Sequence, residues 1–283
     1  MRKIIYFISF LILNFQLCHA TKYALVIGIG SYPTSSGWIN INGDKDIPVV
    51  KDMLHVNGFS EENIVELKNE NATAKQISDK FVNLINKVNS GDVVYIHFSG
   101  HGQQVTDLNG DEEDSLDEAW IPYDACFAFS KGEYEGENHI LDDKLNIWLT
   151  QLRSKVGSKG MITVVADACH SGGGSRATSD NDYVIRGASD NFIIPTKQKA
   201  TYKGEVGIID WIFISACKSY QSNYEYNNMG SLTYALTLQG GKLSSISYKE
   251  VQSSIRTTIR TIVPFVQTPV VEIPTISTQQ SLF

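Results

Sequence analysis

The sequence predicts an α/β fold built on a mostly parallel sheet with helices on both faces. Three observations lead there. Short, continuously apolar runs recur along the chain, each ended by glycine or a polar loop. Segments with apolar residues at helical spacing alternate with them. Polar, glycine-bearing stretches follow the C-terminal ends of the runs, where open α/β sheets carry their sites. Unbroken apolar runs suit strands covered on both faces, and alternation with helices suits parallel pairing.

Tyr23–Ile29 (YALVIGI) is the first buried strand, closed by Gly30. Gly28 and Gly30 form a fragment of a dinucleotide fingerprint, but Pro33 replaces the third glycine, so the pair reads as a strand-end turn. Ile47, Val50, Met53 and Leu54 have helical spacing up to Gly58, and Asn63–Leu67 is a short strand. Thr73 opens the next helix, with Gln76 completing a capping box. Ile77, Phe81, Leu84, Ile85 and Val88 form its apolar face. Val93–Ser99 is a buried strand and Leu141–Lys155 a helix. Met161–Ala166 and Trp211–Ala216 are further buried strands, and Ser231–Gln239 and Ser247–Ile262 close the chain as helices.

Composition bounds the function. The chain has 283 residues, 42% hydrophobic and 19% charged, which is globular rather than disordered. A net charge of −7 without a Lys/Arg cluster argues against nucleic acid as a partner. Arg2 and Lys3, the apolar run Ile4–Leu13 and the small residues Cys18 and Ala20 read as a secretory signal peptide over residues 1–20. Its apolar run is shorter than the roughly 20 residues a bilayer needs. The expected product is a secreted or periplasmic monomer, one domain over residues 21–283, with no membrane span. It keeps Cys126, Cys169 and Cys217. An odd number leaves at least one thiol free in an exported protein.

Two strands deliver reactive side chains into glycine-flanked loops. One ends His97-Phe98-Ser99-Gly100-His101-Gly102, and the other runs into Asp167-Ala168-Cys169-His170-Ser171-Gly172-Gly173. Side chains two apart on a strand share a face, pairing Ser99 with His101 and Asp167 with Cys169. If the strands are neighbours, Cys169 and His101 meet at one crevice as nucleophile and proton shuttle. The N–H groups of Gly102 and Cys169 would then stabilise an oxyanion. Two alternatives stand beside this. A cysteine at a strand end is commonly a small buried hydrophobe. His97, His101, Cys169 and His170 are also zinc-ligand types, although about 13 Å of extended strand separates the first two.

HFSGHG and DACHSGG match the two signatures of the caspase-like cysteine peptidases, specifically metacaspases and their bacterial relatives. ALVIGIGSY, NGDKDIPVVKDML, DEEDSLDEAWIPYDA, ILDDKL, FISACKSYQSNYE and QTPVVE follow that family's order. The sequence therefore resembles this family over nearly all of residues 23–283. The resemblance implies a caspase-type fold with a central, mainly parallel six-stranded sheet. It also implies a cysteine endopeptidase with His101 and Cys169 as the catalytic dyad and no third member. A caspase-fold binding or assembly module without activity is the competing class.

The same resemblance implies cleavage of peptide or protein substrates after Arg or Lys. Asp46 and Asp167 match the family's pocket acids, and Ser99 joins them. A carboxylate pair suits a guanidinium. Because Gly43-Asp44-Lys45-Asp46 is shorter than the family spacing, Asp44 is a rival for Asp46. No cofactor is needed for the chemistry, but the resemblance implies a calcium site at Asp117, Asp142 and Asp143, extended by Asp111, Glu113 and Asp114. Calcium wants six to eight oxygens, and Arg176 stands where a further acid is usual. The polar insert 171–205 carries Arg176, Arg186, Lys197, Lys199 and Lys203, candidate positions for self-cleavage in an exposed loop.

Overall fold

The computed structural model describes residues 20–110, 112–170, 183–188, 190–195, 210–274 and 281–283. The signal segment before Ala20, Asp111, Arg176, Lys197, Lys199 and Lys203 lie outside the described residues. No helix among those described is long and apolar enough to cross a membrane.

Chain order runs β1 (Lys22–Gly28), α1 (Asp46–Val56), β2 (Ile64–Lys68), α2 (Ala74–Lys87) and β3 (Val93–Ser99). Then come β4 (Gly102–Thr106), β5 (Leu116–Trp120), β6 (Ile140–Leu141), α3 (Asp142–Val156) and β7 (Met161–Asp167). The C-terminal part holds β8 (Ile212–Ser215), β9 (Glu225–Tyr226), β10 (Met229–Gly230), α4 (Ser231–Thr237), α5 (Tyr248–Ile262) and β11 (Val270–Glu272). The main sheet has six strands in the order β11-β8-β7-β3-β1-β2. Only β11 runs antiparallel to its neighbour.

Both faces of this sheet are covered, which explains the unbroken apolar runs. Leu25, Ile27, Ile96, Phe98 and Val164 pack on α2 and α3 through Ile77, Phe81, Leu145 and Trp148. Ala24, Val26, Tyr95 and Val165 face α1, α4 and α5 through Val50, Leu54, Leu236 and Ile255. Neighbours in sequence thus go to opposite layers, as the two-residue period of a strand requires.

Helix ends follow their local chemistry. Thr73 Oγ1 accepts from Gln76 N–H at 3.2 Å, but its hydroxyl donates to the Gln76 side chain, so only half of the expected capping box forms. The full reciprocal box is at Ser247 and Glu250, ahead of α5. An element the sequence did not suggest is a small antiparallel sheet, β4-β5-β6, flanking the acidic loop.

Candidate active site

β3 and β7 are adjacent and parallel, and their last paired residues are Ser99 and Asp167. His101 and Cys169 each lie two residues beyond that pair, so the sheet brings both to the same edge. The two-residue alternation ends with the strands, however. Ser99 turns to Asp46, while the His101 ring stacks on Trp38 at 4.7 Å and lies 5.2 Å from the Tyr32 ring. Ser99 and His101 therefore contact different groups, contrary to the strand-period expectation.

The loop between β1 and α1 builds the histidine's seat. Tyr32 N–H donates to Asn40 Oδ1 and Ile41 N–H to the Gly30 carbonyl, folding the loop back on itself. This presents the Ile39 carbonyl to His101 Nε2 at 2.9 Å, and Tyr32 Oη accepts from His101 N–H at 3.1 Å. A carbonyl can only accept, so Nε2 carries the proton and Nδ1 keeps its lone pair. Nδ1 is buried and has no hydrogen-bond partner. Burial pulls the imidazole pKa down to about 4, with the Arg186 charge adding to the effect. The group is thus a neutral base with its free nitrogen unspent.

Cys169 is fully buried and its thiol donates to the Gln221 carbonyl. The thiol of Cys217 donates to the same carbonyl at 3.1 Å. Cys217 is therefore a neighbour of the proposed nucleophile. Gly102 approaches closely too: a Cβ there would stand 2.7 Å from the Cys169 carbonyl oxygen. His170 Nε2 is 3.9 Å from Glu118.

The pocket acids converge. Asp46, the first residue of α1, is buried and accepts from Ser99 Oγ at 2.7 Å and Gly230 N–H at 3.2 Å. Asp44 instead lies 3.4 Å from the exposed Lys68 ammonium. The tight approach of Gly43, where a Cβ would be 2.5 Å from the Ile29 and Ser99 carbonyl oxygens, lets the loop seat α1 against the strand ends. Asp167 accepts from Asn223 Nδ2 at 2.7 Å, and from Thr233 N–H and Oγ1 at 2.6 Å each.

His97 ties the two acids together. Its Nδ1 meets Tyr95 Oη at 2.9 Å, and its Nε2 meets Ser99 Oγ and Thr233 Oγ1 at 3.1 Å each. Both hydroxyls spend their protons on the carboxylates, so Nε2–H donates to them and Nδ1 accepts from Tyr95. Burial lowers its pKa to about 4. With both nitrogens engaged in this network, His97 is not a zinc ligand.

Into this pocket runs Arg186. Its side chain is fully buried; Nη1 donates to Asp46 at 2.6 Å and Nε to Glu225 at 3.0 Å, with Asp167 at 3.7 Å. Glu225 is itself held by the Asn42 N–H at 2.7 Å and by the Asn42 side chain. Sequence reasoning missed Glu225, Asn223, Thr233 and the Ile39 carbonyl. One signal existed: Val184-Ile185-Arg186-Gly187-Ala188 is an apolar island in a polar insert.

Of the acids matched to the calcium site, Asp117, Asp142 and Asp143 are described and Asp111 is not. Asp117 is buried on β5, Asp142 and Asp143 open α3, and Asp143 accepts from Asn109 Nδ2. Asp142 is pushed up to about 7 by burial and by the charges of Glu118 and Glu112. Among the described residues, no three His, Cys, Asp or Glu side chains are grouped so as to hold one metal ion.

A family model described as the metacaspase, peptidase C14 domain, matches residues 22–175. Metacaspase-1B of Aspergillus fumigatus is 32% identical over 170 residues, covering 56% of this chain and 37% of that protein. Metacaspase-4 of Arabidopsis thaliana is 31% identical over 159 residues, covering 54% and 34%. The chain thus spans about a third of the length of these curated relatives. The crystal structure of protein GSU0716 from Geobacter sulfurreducens aligns with a TM-score of 0.64 at 22% identity, over 90% of this chain and 94% of that one. That likeness speaks to the fold alone. Sheet order and layers define a caspase-type α/β domain. The chain belongs to the metacaspase family. Arg186, Asn223, Glu225, Gly230 and Thr233 all lie beyond the residues the family model matches.

Proposed function

We propose that the chain is a secreted cysteine endopeptidase that hydrolyses peptide bonds after basic residues, with Cys169 as nucleophile and His101 as general base and acid. One observation carries this reading: a neutral imidazole, oriented by the Ile39 carbonyl, holds a buried and unused Nδ1 at the strand end beside that of Cys169.

In the proposed reaction the substrate's cationic side chain enters between Asp46 and Asp167. The Cys169 thiol leaves the Gln221 carbonyl, gives its proton to His101 Nδ1 and attacks the scissile carbonyl carbon. The Cys169 N–H, with Gly102 N–H beside it, takes the developing oxyanion. His101 then protonates the leaving amine, and water hydrolyses the thioester to return the thiol. Calcium, where the family resemblance implies it, would act outside these steps.

The test is hydrolysis of fluorogenic Arg, Lys and Asp peptides by wild type, Cys169→Ala and His101→Ala, with calcium or with a chelator. Wild type should cleave basic peptides only. Each variant should lose about a thousandfold or more in kcat, as loss of a nucleophile or its base does. No hydrolysis of any basic peptide would leave the binding-module reading, and cleavage after Asp would overturn the pocket assignment alone.

A further inference from the structure

Two cysteines meet at the sheet edge. β7 and β8 are paired up to Ala166↔Ser215, and Ala216 N–H donates to the Ala166 carbonyl at 3.1 Å. Cys169 lies three residues past that last pair and Cys217 two, so the ladder carries both into one crevice. There the Gln221 carbonyl accepts from both thiols. The turn that presents this carbonyl is itself held. Gln221 N–H donates to the Lys218 carbonyl at 2.9 Å, and Gln221 Oε1 accepts from Thr268 N–H at 2.9 Å. One fixed acceptor thus gathers two buried sulfurs. The Cys217 thiol is also pushed well above its ordinary range, first by a hydrogen bond to Cys169 and then by burial. Its single proton can turn to either acceptor, carbonyl or sulfur.

Such a pair has redox chemistry that a lone nucleophile lacks. The thiolate that attacks a carbonyl is also the form that peroxides oxidise. Left alone, the resulting sulfenic acid is open to further oxidation, and the sulfinic acid is irreversible. A second thiol within reach captures the sulfenic acid as a disulfide, which reductants return to two thiols. Cys217 has no part in the proposed hydrolysis, yet it stands where a resolving thiol must. Neighbouring strands lie about 4.8 Å apart, inside the roughly 4.4–6.8 Å that a disulfide needs between its α-carbons. The third thiol, Cys126, is half-buried instead and is raised by burial and by the charges of Glu137 and Asp124. Joining Cys169 to Cys217 leaves Cys126 as the odd thiol.

We propose that Cys169 and Cys217 form a two-thiol oxidation site, in which a peroxide oxidises Cys169 and Cys217 closes on it as a disulfide that switches the peptidase off reversibly. The switching rests on the peptidase reading; the disulfide does not. In the first step the Cys169 thiolate attacks one oxygen of hydrogen peroxide and the O–O bond breaks. Cys169 becomes the sulfenic acid, and the hydroxide released takes the thiol's former proton from His101 Nδ1 to become water. In the second step the Cys217 sulfur attacks the Cys169 sulfur and the S–O bond breaks. The hydroxide leaves as water with the Cys217 proton. The two thiols lose two electrons in all, and the peroxide is reduced to two waters. A dithiol reverses the bond by exchange.

The experiment exposes full-length protein to hydrogen peroxide, labels the remaining thiols with N-ethylmaleimide in denaturant, and maps the unreduced digest by mass spectrometry. Wild type should show peptides linked through Cys169 and Cys217, with Cys126 labelled. Its hydrolysis of Arg peptides should fall about a hundredfold or more, because a sulfur held in a disulfide is no nucleophile, and dithiothreitol should restore it. Cys217→Ser and Cys217→Ala, each measured against its own untreated rate, should lose activity to the same dose. Dithiothreitol should not restore them, because Cys169 goes on to sulfinic acid. Melting curves check that both variants fold. Cys217 still labelled in treated wild type that hydrolyses Arg peptides before treatment would overturn the oxidation site and leave the peptidase reading standing. A disulfide to Cys126, or equal recovery in the Cys217 variants, would overturn it too. A 169–217 disulfide in a protein that never hydrolyses a basic peptide would keep the thiol pair and overturn the switch together with the peptidase reading.

Discussion

The amide of Cys169 donates to the carbonyl of Arg186 at 2.7 Å, while the guanidinium of that same residue is buried on Asp46 and Glu225. Side chain and main chain are thus gripped together, one by the buried carboxylates and one by the backbone of the proposed nucleophile. The two partners are seventeen positions apart in sequence, and the sheet edge reunites them.

The seat of the imidazole should be sensitive to Trp38. This ring stacks on His101 at 4.7 Å and meets Phe127 edge-on at 4.9 Å. Trp38→Ala should cost about 3 kcal/mol or more in stability, as truncating a buried tryptophan does. It should also lower kcat about ten- to a hundredfold through misplacement of the base. Trp38→Phe should recover most of both. Urea unfolding and steady-state kinetics on the three proteins make the comparison.

Acid should unfold the protein by way of its buried imidazoles. His97, His101 and His139 are each lowered by burial to about 4. The unfolded chain takes up these protons near pH 6.5, whereas the native protein does so only near 4. Stability from each is therefore complete above about pH 6.5 and is lost as pH falls through about 4, up to about 3 kcal/mol apiece. Asp46, raised by burial to about 6, works in the opposite direction over the same range, as does Asp142. Three against two still leaves net loss, so urea midpoints should drop steadily between pH 7 and 4. The acid limb of kcat/KM should likewise lie well below the ordinary histidine range.

Gly230 should tolerate no side chain. A Cβ there would stand 2.1 Å from Asp167 Oδ2 and 2.5 Å from Arg186 Nη1, although its own backbone is ordinary with φ −62°. Gly230→Ala should raise KM for Arg peptides sharply while leaving alkylation of Cys169 by a small reagent nearly unchanged. Equal losses in both assays would place the defect in the whole fold.

Asp142 is a partly buried carboxyl raised to about 7, first by burial and then by Glu118 and Glu112. Because its native pKa exceeds the unfolded one, stability is full at low pH and falls as pH rises through about 7. Asp142→Asn should therefore stabilise the protein at pH 8 by about 1–2 kcal/mol after allowance for solvent screening. The gain should vanish near pH 4. Paired urea titrations at the two pH values read the difference.

Much of this architecture is written in side-chain pattern. The strands Val93–Ser99 and Met161–Asp167 are legible because a strand covered on both faces must be apolar throughout, and α2 because its stripe and Thr73 agree. His101, Cys169, Asp46 and Asp167 sit in segments whose residue types mark them as candidates. The rest is silent for physical reasons. The Ile39 and Gln221 groups that hold His101 and Cys169 are carbonyls, which every residue has. Asn223, Glu225 and Thr233 act across distances of more than fifty residues from Asp167 or Asp46, in short elements with little periodicity. Arg186 sat among the charges of a polar insert, and nothing short of the fold distinguishes a swallowed guanidinium from a solvated one. The expected face-sharing of Ser99 and His101 failed because period two holds only while the strand lasts.

β7 and β8 are hydrogen-bonded neighbours in the sheet, from Thr163↔Ile212 to Ala166↔Ser215, yet the polar insert separates them in sequence. Severing the backbone anywhere between them would leave two polypeptides zipped by that ladder and by the helices on either side. A nicked molecule would still elute as one body from a sizing column and come apart only in denaturant. Any change in behaviour after the nick would have to arise from newly freed ends near the cleft, since no mass is shed.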